Sequence, residues 1–415
     1  MESIHLKSVD PVSQDLLRIA ARRGLELSWE RYEAQQPQDG FVRSGLGCAF
    51  GCLHGPCRID PFGRGATNGI CGIDRDQMVA ASLLRLCLNG ALEAGVSGDC
   101  VVQAAVMLSR PQGSVDELVR AAADLGVAAF KASGEAEGVS GGVKAGYGVL
   151  AADGPIIGVC GNPDEATVSK LVSAKGRGRV VSLGDWISVG GELLPFACSS
   201  GEGELAIASG CISQVVCGAD ADPAIIAVCE QAGVPVGVEA VDAVAGASDF
   251  TPQPEQFGEG AVCAPGDIAK GPLCLIGGSD MPQQSMGWLA SELPGALAAA
   301  GQNVAAWGDA ALWVVKGGTA GVQTLDPVRG PWDACATSGS NLKGICFTGL
   351  SGCRDLAVAL GAAALGARVC VATPLPVWGS EAVCDAIDGI VDRNGGEFAH
   401  FDHPASADEI LAWFG

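Results

Sequence analysis

Near the N-terminus, Leu16, Leu17, Ile19, Ala20 and Leu25 recur at helical spacing, so residues 1 to about 40 read as helix, with Trp29 in a charged, exposed segment. A second helix has a marked start: Asp74 stands in the N-cap position with Gln77 three residues on, and Met78, Val79, Leu83, Leu84 and Leu86 follow as an inward face. Further helices are expected at 99–109 and 115–126, which makes residues 1–145 an all-helical domain. From about Gly146 the period changes. Short apolar runs at Pro155 (PIIGVCG), Arg179 (RVVSLG), Gln214 (QVVCGA) and Val234 (VPVGVE) read as buried strands, with helices at 203–210 and 223–232 between them. Asn162, Pro163 and Glu165 read as a helix start with cap, first-turn proline and acid.

A second alternating unit opens near Gly266, with strands in GPLCLIGGSD, NVAAWGD, GICFTG, RVCVATP and EFAHF, and a last helix capped by Ser406 and Glu409. The expected class is α/β: a helical domain, 1–145, followed by two Rossmann-like, doubly wound parallel-sheet domains, 146–265 and 266–415. No G-x-G-x-x-G follows a strand with an acid about 20 positions on, so nicotinamide or flavin binding is not expected.

Composition narrows the partners. The 61 glycines suit many tight strand-to-helix turns, and a net charge of −22 repels phosphate backbones and anionic lipid, which argues against nucleic acid and membrane surfaces. The N-terminus carries no apolar run of signal length and no run reaches the roughly 20 residues of a membrane span. The 18 cysteines are then expected as reduced thiols of a cytoplasmic protein, several of them, such as Cys87, Cys229, Cys370 and Cys384, acting as small buried hydrophobes.

Four of those cysteines stand apart. Cys48, Cys52, Cys57 and Cys71 lie in a Gly- and Pro-rich loop that runs into the helix after Asp74. Small residues between thiols let a backbone fold closely round an inorganic cluster, and the natural occupant is one 4Fe-4S cube with a thiolate on each iron. Structural zinc and disulfides are the alternatives, but zinc knuckles come as two short pairs, whereas here three ligands are bunched and the fourth follows a loop. His54, inside the loop, reads as a hydrogen-bonding residue at its edge rather than a fifth ligand.

The run WERYEAQQPQ from Trp29, GPCRIDPFG from Gly55, GICG from Gly69, SLLR from Ser82 and the C-terminal NGGEFAHFDHPASADEILAWF together resemble the anaerobic nickel-iron carbon monoxide dehydrogenases, relatives of the hybrid-cluster proteins. The resemblance implies paired Rossmann-like domains, a shortened chain, and an electron-relay role for the cubane at Cys48, Cys52, Cys57 and Cys71, although one residue is inserted between Cys48 and Cys52 relative to the family spacing. In the family two further cysteines hold a cluster shared across a dimer axis; Asp39 and Gly47 stand at those positions, so a homodimer would lack the shared cluster. The family's row of histidines after SLLR is also missing: the chain has only His5, His54, His400 and His403.

At the family's nickel-iron-sulfur site, alignment puts Ser182, Asp220, Ser279 and Asp309 where four cysteines are expected. Only Cys353 is kept. The histidine ligand falls beside Cys160, at Val159 or Gly161, and the lysine that assists carbon dioxide chemistry is replaced by Ala382. Hard oxygen donors do not hold a sulfide-bridged nickel-iron cluster. The resemblance therefore implies an iron-sulfur, electron-transfer or structural subunit of a redox complex whose nickel-iron cluster is gone, with a redox protein partner. Its rival is an active oxidoreductase, oxidising carbon monoxide or reducing a small molecule. That enzyme would use a hard metal or small ligand between the sheets, or a cluster relocated onto Cys160, Cys198, Cys211, Cys217, Cys335, Cys346 and Cys353.

Overall fold

The computed structural model describes residues 7–34, 47–52, 57, 59, 65–110, 112–135, 138–139, 141–151, 153–176, 179–237, 250–269, 271–280, 287–327, 329–338, 342–350 and 352–415. Its contacts divide the chain into two compact units, and neither is one continuous stretch: residues 1–34 go with 137–341, and 35–136 go with 342–415. This differs from the three consecutive domains expected from the pattern, because packing partners far apart in sequence are invisible to local periodicity.

In the first unit, Asp10 accepts a hydrogen bond from the Val12 N–H and caps the helix Pro11–Arg23, which Gly24 ends at φ 67. The single helix expected up to about 40 is thus broken, and a short helix Ser28–Ala34 follows. The strands are β1 (Gly141–Ala145), β2 (Ile156–Cys160), β3 (Val180–Ser182), β4 (Ser188–Val189), β5 (Glu192–Leu193), β6 (Ile212–Cys217), β7 (Gly258–Val262), β8 (Leu273–Gly278), β9 (Asn303–Ala306) and β10 (Val322–Thr324). A parallel sheet runs β3-β2-β6, and a second runs β1-β7-β10-β9-β8 with only β1 antiparallel to its neighbour. β2, β3 and β8 are buried along their whole length, the pattern of parallel strands covered on both faces.

Three local expectations differ. β1 and β7 were not expected; β7, GEGAV, is glycine-rich and only half-buried, so it carries little apolar signal. Among the described residues, VPVGVE supplies a single bridge, Val215 to Val236, and Pro235 has no N–H to extend it toward Val234. The helix Glu165–Lys175 is capped by Asp164, which accepts from Thr167 N–H, and not by Asn162, which sits in a left-handed turn at φ 46.

The second unit holds the helices Arg75–Glu93, Asp99–Ser109, Val115–Glu135, Cys353–Ala364, Glu381–Val391 and Ala407–Phe414. They accompany a parallel sheet of β11 (Leu342–Gly349), β12 (Arg368–Val371) and β13 (Glu397–His400). Both expected capping boxes form, Asp74 with Gln77 and Ser406 with Glu409. Glycines let three helices meet: a Cβ on Gly90 would lie 2.2 Å from the Cys353 carbonyl oxygen, and one on Gly361 2.0 Å from the Gly126 carbonyl oxygen. The helix expected to end at 126 continues to Glu135, because Gly126 is a contact point and not a stop.

Candidate functional site

The loop thiols come first along the chain. Cys48, Cys52 and Cys57 are half-buried and Cys71 is exposed, and among the described residues no disulfide joins the cysteines. Burial raises the proton affinity of Cys48, a hydrogen bond from the Phe50 backbone lowers it, and the thiols of Cys57, Cys71 and Cys52 raise it further. The other three thiols therefore lie within electrostatic reach of Cys48. The Cys57 Sγ accepts a hydrogen bond from the Ile70 N–H at 3.4 Å, which ties the third thiol to the segment bearing the fourth. Among the described residues, no three His, Cys, Asp or Glu side chains converge tightly enough for a single metal ion. His54 and Asp39 lie outside the described residues; Gly47 is exposed.

The strand ends of the first unit carry oxygen where sulfur was expected, and most of that oxygen is already used. The Asp309 carboxylate, 2% exposed, accepts from the Asp280 N–H at 2.6 Å and from the Ser200 N–H at 3.1 Å. Burial, then the neighbouring Asp280 carboxylate, hold Asp309 well above the usual carboxylate range against those two bonds. Asp280 is itself pushed up, chiefly by burial, while the Trp313 indole N–H donates to it at 2.7 Å. Ser182 is fully buried and its hydroxyl donates to the Pro195 carbonyl at 3.3 Å. Asp220 is exposed and accepts from the Asn162 amide at 2.9 Å, and Ser279 is half-buried just past β8. Gly161 has no room for a larger residue: its Cβ would lie 2.1 Å from the Ala221 nitrogen. As a donor set these groups do not fit a sulfide-bridged cluster.

Of the remaining thiols, two in the first unit meet. Cys160 ends β2 and Cys217 ends β6, directly in register, with their sulfurs 3.6 Å apart. Cys160 is fully buried and Cys217 is half-buried. The better-hydrated outer sulfur gives up its proton more readily: Cys217 is lowered by the hydrogen bond from Cys160, and Cys160 is raised by the same bond and then by burial. Burial, and then Cys217, push Cys229 up to about 12. Cys198 is fully buried and held high by burial and then by Glu202; Cys211 is half-buried; burial pushes Cys335 up to about 12. Cys346 and Cys353 belong to the second unit, where Cys346 on β11 faces Cys370 on β12 and Cys353 opens a helix. Ala382, in the first turn of Glu381–Val391, offers no amine.

Sequence reasoning missed a buried polar network. Glu202, 0% exposed, accepts from the hydroxyls of Ser8 at 2.7 Å and Ser13 at 2.5 Å, and Ser13 lies 3.3 Å from the Tyr147 hydroxyl. Lys316 pairs with Asp10; burial pulls its affinity down, and Glu202 and Asp10 more than restore it. The only local signal is the S-x-x-E of Ser199 and Glu202, in which the Glu202 carboxylate accepts from the Ser199 N–H at 3.4 Å. Among the described residues no helix is long and apolar enough to cross a membrane.

No family model matches the chain. Carbon monoxide dehydrogenase 1 of Methanosarcina mazei is 52% identical over 85 residues, 20% of this chain, and that of Carboxydothermus hydrogenoformans is 51% identical over 84. The matched stretch spans only 13% of the length of each of these relatives. The carbon monoxide dehydrogenase/acetyl-CoA synthase subunit beta of Moorella thermoacetica is 30% identical over 103 residues, 25% of this chain and 15% of that one. The fold matches a nickel-free crystal structure of carbon monoxide dehydrogenase from Thermococcus sp. AM4 at a TM-score of 0.78, with 16% identity over 99% of this chain and 98% of that one. It also matches carbon monoxide dehydrogenase IV of C. hydrogenoformans at 0.78, with 18% identity and the same coverage. Over a fifth of its length the sequence is thus similar to carbon monoxide dehydrogenases, and its fold matches that of solved carbon monoxide dehydrogenases.

Proposed function

We propose that the chain is a carbon monoxide dehydrogenase-like iron-sulfur protein that relays electrons, or supports a relay, within a cytoplasmic redox complex, and that it has lost the nickel-iron site. Cys48, Cys52, Cys57 and Cys71 would hold one 4Fe-4S cluster, which supplies one-electron transfer when bound. The observation that carries the reading is Asp309. A buried carboxyl group engaged by two backbone N–H groups stands where the family places a thiolate, and it closes the strand ends by hydrogen bonding. A redox protein is the expected partner; the relative from M. thermoacetica is a subunit of a larger enzyme. A homodimer of this chain would be held by packing, and nucleic acid and membrane insertion are not part of the reading.

The rival is a catalytic oxidoreductase with a rearranged cluster, and the meeting of Cys160 with Cys217 is the observation in its favour. Metal analysis of anaerobically purified protein separates the two. About four iron and no nickel per chain, with no carbon monoxide-dependent viologen reduction, is the expected result. Stoichiometric nickel, about eight iron or more, or viologen reduction would overturn the relay reading.

A further inference from the structure

The register of β2 and β6 puts the sulfurs of Cys160 and Cys217 side by side at the C-terminal end of a parallel sheet, 3.6 Å apart. Adjacent strands lie about 4.8 Å apart, inside the roughly 4.4–6.8 Å of Cα separation that a disulfide accepts. The strand spacing therefore admits a bond between the two sulfurs once they are oxidised. The loops beyond both strands are pressed together: the Gly218 N–H donates to the Cys160 carbonyl at 2.8 Å, and a Cβ on Gly218 would lie 1.6 Å from the Gly161 carbonyl oxygen. The two thiols also differ in access, one fully buried and one half-buried. The second unit supplies the contrast. Cys346 and Cys370 are likewise paired across parallel strands, but both are fully buried and neither stands at a strand end.

We propose that Cys160 and Cys217 form a dithiol redox site that exchanges two electrons with a small or protein disulfide, Cys217 being the attacking thiol and Cys160 the resolving one. The step balances. The Cys217 thiolate attacks one sulfur of the disulfide, that S–S bond breaks, and the first thiol leaves with the proton Cys217 gave up. Cys160 then attacks the Cys217 sulfur of the mixed disulfide, a Cys160–Cys217 bond forms, and the second thiol leaves with the proton of Cys160. The two cysteines are oxidised and the partner disulfide is reduced to two thiols. The half-buried Cys217 sulfur is the one a partner disulfide can reach, and the fully buried Cys160 can act only from within, which sets this order. The site does not depend on the relay reading, since neither thiol belongs to the Cys48–Cys71 loop.

The test uses the full chain, purified anaerobically with its iron content measured, and equilibrated with oxidised and reduced glutathione over a range of ratios. Free thiols are then alkylated and the cysteines mapped by mass. A Cys160–Cys217 link, with Cys346 and Cys370 alkylated and iron unchanged, is expected. C160S should trap one glutathione on Cys217, C217S should trap none on Cys160, and the link should be lost in both. Both thiols alkylated at the most oxidising ratio, either one linked elsewhere, or a Cys346–Cys370 link in place of theirs overturns the proposal. The map of the unmutated chain decides even if a variant does not fold, and loss of iron alone bears on the cluster and not on this site.

Discussion

Asp185 offers a sharp test of the electrostatics at the strand ends. It is half-buried, accepts a hydrogen bond from the Gly161 N–H at 2.7 Å, and has its carboxyl pushed from 3.8 to about 6. Burial is the main cause; the Gly161 bond opposes it, and Asp220 and Asp222 add to it. A carboxyl whose affinity rises on folding leaves the folded state most favoured while neutral. Its contribution is complete below about pH 4, falls as pH rises toward 6, and is gone above that. A shift of about two units corresponds to about 3 kcal/mol, discounted to roughly 1–3 kcal/mol for a group that still sees solvent. D185N keeps an oxygen for Gly161 but cannot ionise. The variant should therefore be more stable than the unmutated chain by roughly 1–3 kcal/mol at pH 7.5, and by about half as much at pH 5. Urea midpoints of the anaerobic protein, followed by tryptophan fluorescence at both pH values, measure this. A variant less stable at pH 7.5, or a difference that does not change with pH, would refute the reasoning. An independent difference would mean that packing, and not ionisation, governs Asp185.

Three further outcomes follow from the geometry. K316M leaves the buried carboxylates of Asp10 and Glu202 without their cation and should lower stability by about 3–5 kcal/mol, with part recovered in the D10N/K316M double variant; urea unfolding reads both. G361V forces a branched side chain onto the Gly126 carbonyl and should cost about 3 kcal/mol or more, seen as early melting and loss of hydrogen-exchange protection in the helices Val115–Glu135 and Cys353–Ala364. C57S should lower iron content and the brown iron-sulfur absorbance severalfold under anaerobic preparation, while C384S, which removes a thiol outside the loop, should leave both unchanged.

Much of this protein is legible without its fold. Local rules, the capping boxes at Asp74 and Ser406 and the apolar runs of β2, β6, β8 and β12, act over a few residues and are printed in the order of the chain. The expectation of a cluster at the four loop cysteines is drawn from a signal of the same kind, since ligand type and spacing are local. Only tertiary packing decided the rest. It joined residues 1–34 to 137–341, made β7 a strand through its partners β1 and β10, and set Asn162 in a left-handed turn where a helix cap was expected. It also drew Glu202 out of water beside Ser8 and Ser13, engaged the Asp309 carboxylate with two N–H groups, and laid Cys160 against Cys217 from 57 residues away. Burial and strand register are properties of contacts between distant segments. They set the proton affinity and reach of a side chain, and no window along the chain contains them.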